Sequence, residues 1–264
     1  MSQFVRIGNE IVPKPKGIDY DLVNGKCYCL IKKDDWTGTL FLKEENTVKL
    51  ATDHIYESKQ DILFKQRVIN NFNSSEKTTG VLLAGLKGSG KTLAAKLLCK
   101  QANLPVIIVD PSFNSRDLNR FFTSFNTPVA IIFDEVDKNT DKRWDTAQML
   151  SFLDGMQDTG KKLVVFTCNE TKSLDENLLD RCSRIRYYKC YKALDRDTVK
   201  LIIDDIIKDD RDTVILLDFI MNHIKTVNYD NIISFVKEAS VPPWYFEKSY
   251  FLNTEKKSKA YNLF

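Results

Sequence analysis

Residues 80–92 read Gly-Val-Leu-Leu-Ala-Gly-Leu-Lys-Gly-Ser-Gly-Lys-Thr, and this stretch decides the fold. Its apolar run predicts a buried strand that ends in the pattern Gly85-x4-Gly-Lys-Thr92, and a predicted helix, 92–101, follows directly. A strand, a glycine-rich turn and a helix in this order hold phosphate, because backbone N–H groups can face the phosphate oxygens and the helix N-terminus adds partial positive charge. The stretch therefore predicts a site for a nucleoside triphosphate.

The residues of this turn have distinct predicted roles. Lys91 reaches the β- and γ-phosphates, and the Thr92 hydroxyl binds Mg²⁺. Plain connections can also be glycine-rich, but the strand and helix on either side favour the phosphate site. The predicted nucleotide-binding residues of the loop are Gly85, Leu86, Lys87, Gly88, Ser89, Gly90, Lys91 and Thr92.

The composition is that of an ordinary soluble globular protein. The chain has 264 residues, enough for one large domain or two small ones, of which 43% are hydrophobic and 28% are charged. A net charge of +3 does not by itself indicate a nucleic-acid partner. No apolar run approaches the roughly 18 residues of a membrane span, and no signal-like segment opens the chain, so neither membrane insertion nor secretion is predicted.

The cysteines predict a reducing, cytoplasmic environment, because the 6 of them are scattered without a Cys-x2-Cys pair. Cys27 and Cys29 share one face of a predicted strand, but a zinc ion would need further ligands. The two histidines, His54 and His223, do not obviously supply them. A zinc site is therefore disfavoured.

Changes in pattern divide the chain into an N-terminal β-rich element (1–57), an α/β core (58–190), a helical lid (191–241) and an aromatic and basic tail (242–264). In the first element, 26–32 and 39–43 have strand character. A helix at 57–72 precedes the core strands. The predicted core strands are 81–84, 106–109, 129–133 and 163–167, and the helices between them are 92–101, 115–124 and 144–154. This alternation predicts a parallel three-layer α/β sheet.

Two acids follow the apolar run at 129–133. Asp134 and Glu135 would lie at the carboxyl end of that strand, the edge where open α/β sheets bind ligands. Asp134 can hold the Mg²⁺ shell through water, and Glu135 can act as general base on the attacking water, with Asp137 as the next candidate. Acids also end strands as turns or helix caps, but their place after a phosphate loop favours catalysis.

Further polar side chains follow the next strand. Asn169 can orient water against the γ-phosphate, although asparagine after a strand is also an ordinary turn residue. Arg181 and Arg184 can share one face of a turn and present planar donors to a phosphate, whereas exposed arginines usually only solvate a surface.

Taken in order, these motifs resemble those of the AAA branch of the AAA+ ATPases. The matching stretches are Gly85-x4-Gly-Lys-Thr, Ile132-Phe-Asp-Glu, Leu150-Ser-Phe-Leu-Asp-Gly155, Val165-Phe-Thr-Cys-Asn169 and Leu174-Asp-Glu-Asn-Leu-Leu-Asp-Arg-Cys-Ser-Arg184. The resemblance covers about residues 58–240 and implies a parallel five-stranded core, a helical lid and ATP bound with Mg²⁺ between the subunits of a homo-oligomer, typically a ring.

The same resemblance implies a role for each motif. Gly85 to Thr92 is the Walker A loop, and Asp134 and Glu135 form Walker B. Asn169 is sensor 1. Arg181 and Arg184 are arginine fingers that act on the nucleotide of a neighbouring subunit.

Two stretches depart from the family pattern. The family carries an aromatic pore loop after the second core strand, but here only Asp110-Pro-Ser-Phe113-Asn fits, so Phe113 would be a reduced pore residue and threading of a polypeptide is disfavoured. In this short loop the chain is most similar to the mitochondrial Rieske-protein translocase group and to compact AAA proteins of bacteriophages. The transmembrane anchor of that translocase is not expected here. An additional residue, Asp180, precedes Arg181, which leaves open which arginine acts.

The leading interpretation is an oligomeric AAA ATPase that couples ATP hydrolysis to remodelling of a protein partner. The alternative is a nucleic-acid-associated ATPase that resembles a clamp loader or a helicase loader, supported by the Arg181-Cys182 pair and a basic patch at 256–259. A switch that binds ATP without turnover is disfavoured by Glu135. No membrane partner is predicted, and a phage-encoded protein would act in the host cytoplasm.

Overall fold

The computed structural model describes residues 4–13, 21–34, 38–45, 55–110, 112–137, 146–156, 160–169, 185–207 and 210–240. The aromatic tail and both candidate arginine fingers, Arg181 and Arg184, lie outside these ranges and stay predictions. Within the part of the chain that is described, no helix combines the length and apolar character needed to cross a bilayer.

The strands and helices predicted for the core occur in the predicted order, and the described residues add strands at 4–7, 10–13 and 185–191. The N-terminal strands are β1 (Phe4–Ile7), β2 (Glu10–Pro13), β3 (Cys27–Lys32) and β4 (Leu40–Glu44). The core comprises α1 (Lys59–Ser74), β5 (Thr79–Gly85), α2 (Lys91–Ala102), β6 (Val106–Val109), α3 (Ser115–Phe122), β7 (Val129–Phe133), α4 (Thr146–Gly155), β8 (Lys162–Cys168) and β9 (Ile185–Tyr191). Three further helices follow: α5 (Arg196–Ile206), α6 (Asp210–His223) and α7 (Tyr229–Ala239).

The strands form one 9-stranded sheet in the order β1-β2-β4-β3-β6-β7-β8-β5-β9. In the core, β6 pairs with β7, β7 with β8, and β8 with β5, all in parallel. Every residue of β7 and β8 is buried, as expected for parallel strands that are covered on both faces. The predicted α/β fold with a mostly parallel sheet is confirmed.

The N-terminal strands are part of the core sheet. β3 pairs in parallel with β6 through Cys27, Tyr28 and Cys29, and then in antiparallel register with β4. The hairpin of β1 and β2, which was not predicted, turns through Gly8 and Asn9, and Gly8 has φ +62°. The edge of β6 is therefore occupied by strands of the same chain.

Aromatic side chains fix the ends of the two central strands. The rings of Phe133 and Phe166 stack with centroids 4.9 Å apart, and Phe152 packs edge-on against Phe133 at 5.1 Å. Phe133 and Phe166 are also direct partners in the parallel register of β7 and β8. The polar residues that follow each of them therefore lie side by side at the same sheet edge.

Phe113 packs against the edge of the hydrophobic core. Its half-buried side chain packs against the buried cluster of the sheet and α3. Asn114 caps α3 by accepting a hydrogen bond from the Asp117 N–H at 2.8 Å, which fixes the chain next to it. The predicted reduced pore residue thus has a packing role in this structure.

The chain forms two compact units. One holds the nine strands up to Cys190 with α1 to α4, and the other holds the described residues from Tyr191 to Ser240 together with 55–59 and Leu86–Gly90. The second unit has its own apolar core, built from α5, α6 and α7. Part of the predicted phosphate loop is therefore in the same unit as the lid helices.

Candidate functional site

The predicted phosphate loop leaves the end of β5 with a backbone that requires glycine. Gly85, Gly88 and Gly90 have φ of +125°, +73° and +88°, values that side-chain-bearing residues rarely adopt. Between them, the Ser89 N–H donates to the Leu86 carbonyl at 3.3 Å. The Ser89 hydroxyl is buried and has no hydrogen-bond partner among the described residues.

Lys91 opens α2 and is almost completely buried. Its Nζ donates to the Gly85 carbonyl at 2.9 Å, so the amine is turned back toward the start of the loop. Burial lowers the pKa of Lys91, while the nearby carboxylates of Asp137, Glu135 and Asp134 favour its charged form. The result is a buried cation next to a group of acids.

Asp134 is held by two hydroxyl groups. Its Oδ1 accepts a hydrogen bond from Thr92 Oγ1 at 2.8 Å and another from Thr167 Oγ1 at 2.7 Å. The structure thus brings together Thr92 and Asp134, the two residues predicted to hold Mg²⁺. A hydroxyl and a carboxylate are oxygen donors of the kind that Mg²⁺ prefers.

Glu135 occupies an unusual backbone position beside Asn169. Its φ of +50° lies in the left-handed region, which is rare for a residue with a side chain. Asn169 Nδ2 donates to Glu135 Oε1 at 3.3 Å, and the Asn169 N–H donates to Asp137 Oδ2 at 2.8 Å. The predicted base, the predicted sensor and the reserve base are therefore in one hydrogen-bonded group.

Lid residues contact the phosphate loop within the second compact unit. Asn228 caps α7 by accepting from the Asn231 N–H at 2.8 Å, and its Nδ2 donates to the Lys87 carbonyl at 2.9 Å. The Tyr229 N–H donates to the Gly88 carbonyl at 3.0 Å. The first turn of α7 thus fixes the middle of the loop.

Sequence reasoning missed two of these contributors, Thr167 and Asn228. Thr167 lay in a predicted core strand, where a threonine is unremarkable. The capping potential of Asn228 is visible in the sequence, because α7 has an asparagine just before it, but its contact with Lys87 joins positions 141 residues apart. No local pattern reports such a contact.

The residues present fit ATP and Mg²⁺. The loop has glycines where a phosphate-binding turn needs them, and its buried serine hydroxyl has no hydrogen-bond partner within the described part of the chain. The Thr92 and Asp134 oxygens are adjacent, as a shared Mg²⁺ shell requires. Among the described residues, no three or more His, Cys, Asp or Glu side chains are grouped as another metal site.

Residues 81–189 match the family described as "ATPase family associated with various cellular activities (AAA)". The predicted resemblance to the AAA family is thus confirmed for residues 81–189. AAA-family ATPases are hydrolases that act on ATP.

Several curated proteins are similar to part of this chain. The chain is 32% identical over 118 residues to the ATPase family gene 2 protein of Schizosaccharomyces pombe, covering 38% of this chain and 15% of that protein. It is 30% identical over 124 residues to proteasome-activating nucleotidase 2 of Haloferax volcanii, covering 38% and 30%. It is 27% identical over 176 residues to the ATP-dependent zinc metalloprotease FtsH of Mycoplasma mobile, covering 58% and 23%.

The chain therefore spans at most 30% of the length of these three relatives. A chain from the solved structure titled "Structural Basis for Katanin Self-Assembly" aligns with a TM-score of 0.49 and 18% identity, over 72% of this chain and 70% of that chain.

Proposed function

We propose that this protein is an oligomeric, Mg²⁺-dependent AAA ATPase that uses ATP hydrolysis to remodel a protein partner. The observation that carries the proposal is the group at the ends of β7 and β8, where Thr92 contacts Asp134 and Asn169 contacts Glu135. Acids, a buried lysine and a glycine-rich loop in this arrangement are the components that phosphoryl transfer to water needs.

Each component has a proposed task. The loop N–H groups and Lys91 bind the phosphates, and Thr92 and Asp134 hold Mg²⁺, which neutralises charge on the phosphate oxygens. Glu135 accepts the proton of the attacking water, and Asn169 keeps the Glu135 carboxylate oriented through its amide.

Oligomerisation is proposed because Arg181 and Arg184 are assigned to the nucleotide of a neighbouring subunit. A planar guanidinium can stabilise charge that develops on the transferred phosphoryl group. Activity should then depend on assembly, and the specific rate should rise with protein concentration.

A protein partner is proposed on two grounds. Two relatives are named as a proteasome-activating nucleotidase and an ATP-dependent metalloprotease, which are names of proteins that act with or on other proteins. The packing of Phe113 against the core favours remodelling without an aromatic grip on a threaded chain. The finer relation to the Rieske-protein translocase group and to phage proteins stays a prediction from the short loop.

The test is the steady-state ATPase rate as a function of protein concentration, with Mg²⁺ or with EDTA. We expect turnover that needs Mg²⁺, rises with concentration and is absent in Lys91→Ala. Absence of turnover by the wild type under all these conditions would refute the proposal. Parallel reactions with single-stranded DNA address the alternative: strong stimulation by DNA would replace the protein-remodelling assignment with the nucleic-acid one.

A further inference from the structure

We propose that Thr167 is a positioning residue that sets both Walker B acids at once, an inference that rests on the proposed ATPase function. Its hydroxyl accepts a hydrogen bond from the Glu135 N–H at 2.8 Å and donates one to Asp134 Oδ1 at 2.7 Å. A single buried oxygen thus contacts the proposed Mg²⁺ ligand and the backbone of the proposed general base.

The sheet register brings Thr167 to this place. Phe133, the last residue of β7, pairs with Phe166 of β8, so the residues that follow them, Asp134 and Thr167, lie side by side. The Thr167 carbonyl also accepts from the Val136 N–H at 2.9 Å. One residue of β8 therefore holds the turn from Asp134 to Val136 through two N–H groups and one carboxylate.

This turn needs an external support. Glu135 has φ +50°, a conformation that costs free energy for any residue with a side chain and persists only where the surroundings fix it. Thr167 supplies the acceptor for the Glu135 N–H, and its side chain is 0% exposed. Loss of the Thr167 hydroxyl would therefore remove the acceptor of the Glu135 N–H at a position where the threonine itself is closed to solvent.

Thr167, unlike Thr92, is not a proposed Mg²⁺ ligand. Asp134 Oδ1 has two hydroxyl donors, Thr92 and Thr167, and Thr92 is itself a proposed Mg²⁺ ligand. Thr167 is then the donor that keeps the Asp134 carboxylate oriented while Thr92 serves the metal. Its removal should impair metal use and the chemical step, with little effect on the phosphate loop.

The experiment compares Thr167→Val with Thr167→Ser. Valine keeps the branched shape of threonine and removes the hydroxyl, whereas serine keeps the hydroxyl and removes the methyl group. For Thr167→Val we expect kcat to fall about 10- to 100-fold, in the range for a mispositioned general base, with the KM for ATP within about threefold of wild type. Thr167→Ser should keep both constants within about threefold of wild type.

A binding measurement tests the same inference without turnover. Mn²⁺ is titrated into the ADP-loaded protein and free Mn²⁺ is followed by electron paramagnetic resonance. Thr167→Val should bind Mn²⁺ several-fold more weakly than wild type, and Thr167→Ser should not. Thermal unfolding by circular dichroism checks that each variant is folded, and Thr167→Ala replaces the valine variant if valine prevents folding.

Two results would overturn the inference. One is a valine variant with kcat and Mn²⁺ affinity within twofold of wild type; the other is a serine variant as impaired as the valine variant, which would assign the effect to packing of the methyl group. A wild-type protein without ATPase activity would refute the proposed function instead, and the Mn²⁺ titrations would still decide the role of Thr167.

Discussion

Replacing Gly88 with alanine should destabilise the protein through two separable effects. Gly88 has φ +73°, in the left-handed region where a Cβ costs about 1–2 kcal/mol. A Cβ at this position would also lie 2.7 Å from Asp230 Oδ2 and 2.9 Å from Asn228 Nδ2, closer than real Cβ contacts. Displacement of the Asn228 amide would lose its hydrogen bond to the Lys87 carbonyl, worth about 0.5–1.5 kcal/mol.

Gly25 provides the matched control. Its φ of +78° is nearly that of Gly88, but a Cβ added there would have no atom within 4 Å, so Gly25→Ala isolates the backbone cost. We expect a loss of about 1–2 kcal/mol for Gly25→Ala and about 2–3 kcal/mol for Gly88→Ala. The difference of about 1 kcal/mol should lower Tm by roughly a further 2–4 °C in a chain of this size.

The assay is thermal unfolding by circular dichroism without nucleotide, combined with a titration of fluorescent ADP. Gly88→Ala should also weaken ADP binding, by about fivefold if reversing the loop distortion on binding costs about 1 kcal/mol. Gly25→Ala should leave ADP binding unchanged. In the Gly88→Ala background, Asp230→Ala should restore part of the lost stability. Equal losses of Tm for the two glycine variants, with equal ADP affinities, would refute the reasoning.

Three other predictions concern chemistry, assembly and pH. Glu135→Gln should bind ATP like wild type and hydrolyse it about 10²- to 10⁴-fold more slowly, because an amide cannot accept the proton of water; ordinary turnover in a single-turnover assay would move the base elsewhere. Arg181→Ala or Arg184→Ala should keep ATP binding and lower ATP turnover about 10³-fold. Mixing either variant with Lys91→Ala should restore some ATPase activity, because some interfaces then pair an intact arginine with an intact site. If the two proteins co-assemble and no mixing ratio restores turnover, the arginines do not act on the neighbouring subunit. Lys162 is fully buried, and burial lowers its pKa to about 8. Between about pH 8 and pH 10.5 the unfolded chain therefore binds more protons than the folded chain. The free energy of unfolding should then rise with pH over this range. The free energy of unfolding from urea titrations should show this rise in wild type and a weaker rise in Lys162→Met. Identical pH profiles for the two proteins would mean that Lys162 does not cause the pH dependence.

The parts of the site that the sequence predicts are those that depend on neighbours in the chain. The strand, loop and helix around Gly85 are continuous in sequence, and a buried run at 129–133 is enough to put Asp134 and Glu135 at a sheet edge. The hairpin through Gly8 and Asn9 was missed although its signal was present, since a glycine next to an asparagine between short apolar runs is typical of a two-residue turn.

Other features depend on which distant elements meet. The pairing of β3 with β6 could not be predicted, because an apolar strand does not specify its partner. Phe113 was interpreted from its place in a family pattern, whereas its packing depends on residues brought in by the sheet and α3. Thr167 acquires its role only through the register that puts it next to Asp134.

The continuous sheet connects the N-terminal strands with the strand that leads to the proposed catalytic acids. β3 is hydrogen-bonded to β6, and β6 to β7, which ends at Asp134. Since neighbouring strands lie about 4.8 Å apart, β3 is only about 10 Å from β7. A mechanical load on β1 to β4 would be transmitted to β7 through ladders of backbone hydrogen bonds. Such ladders deform little, so most of the load would reach the residues that follow β7. A force applied to the N-terminal strands would then strain the backbone next to Asp134, the proposed Mg²⁺ ligand.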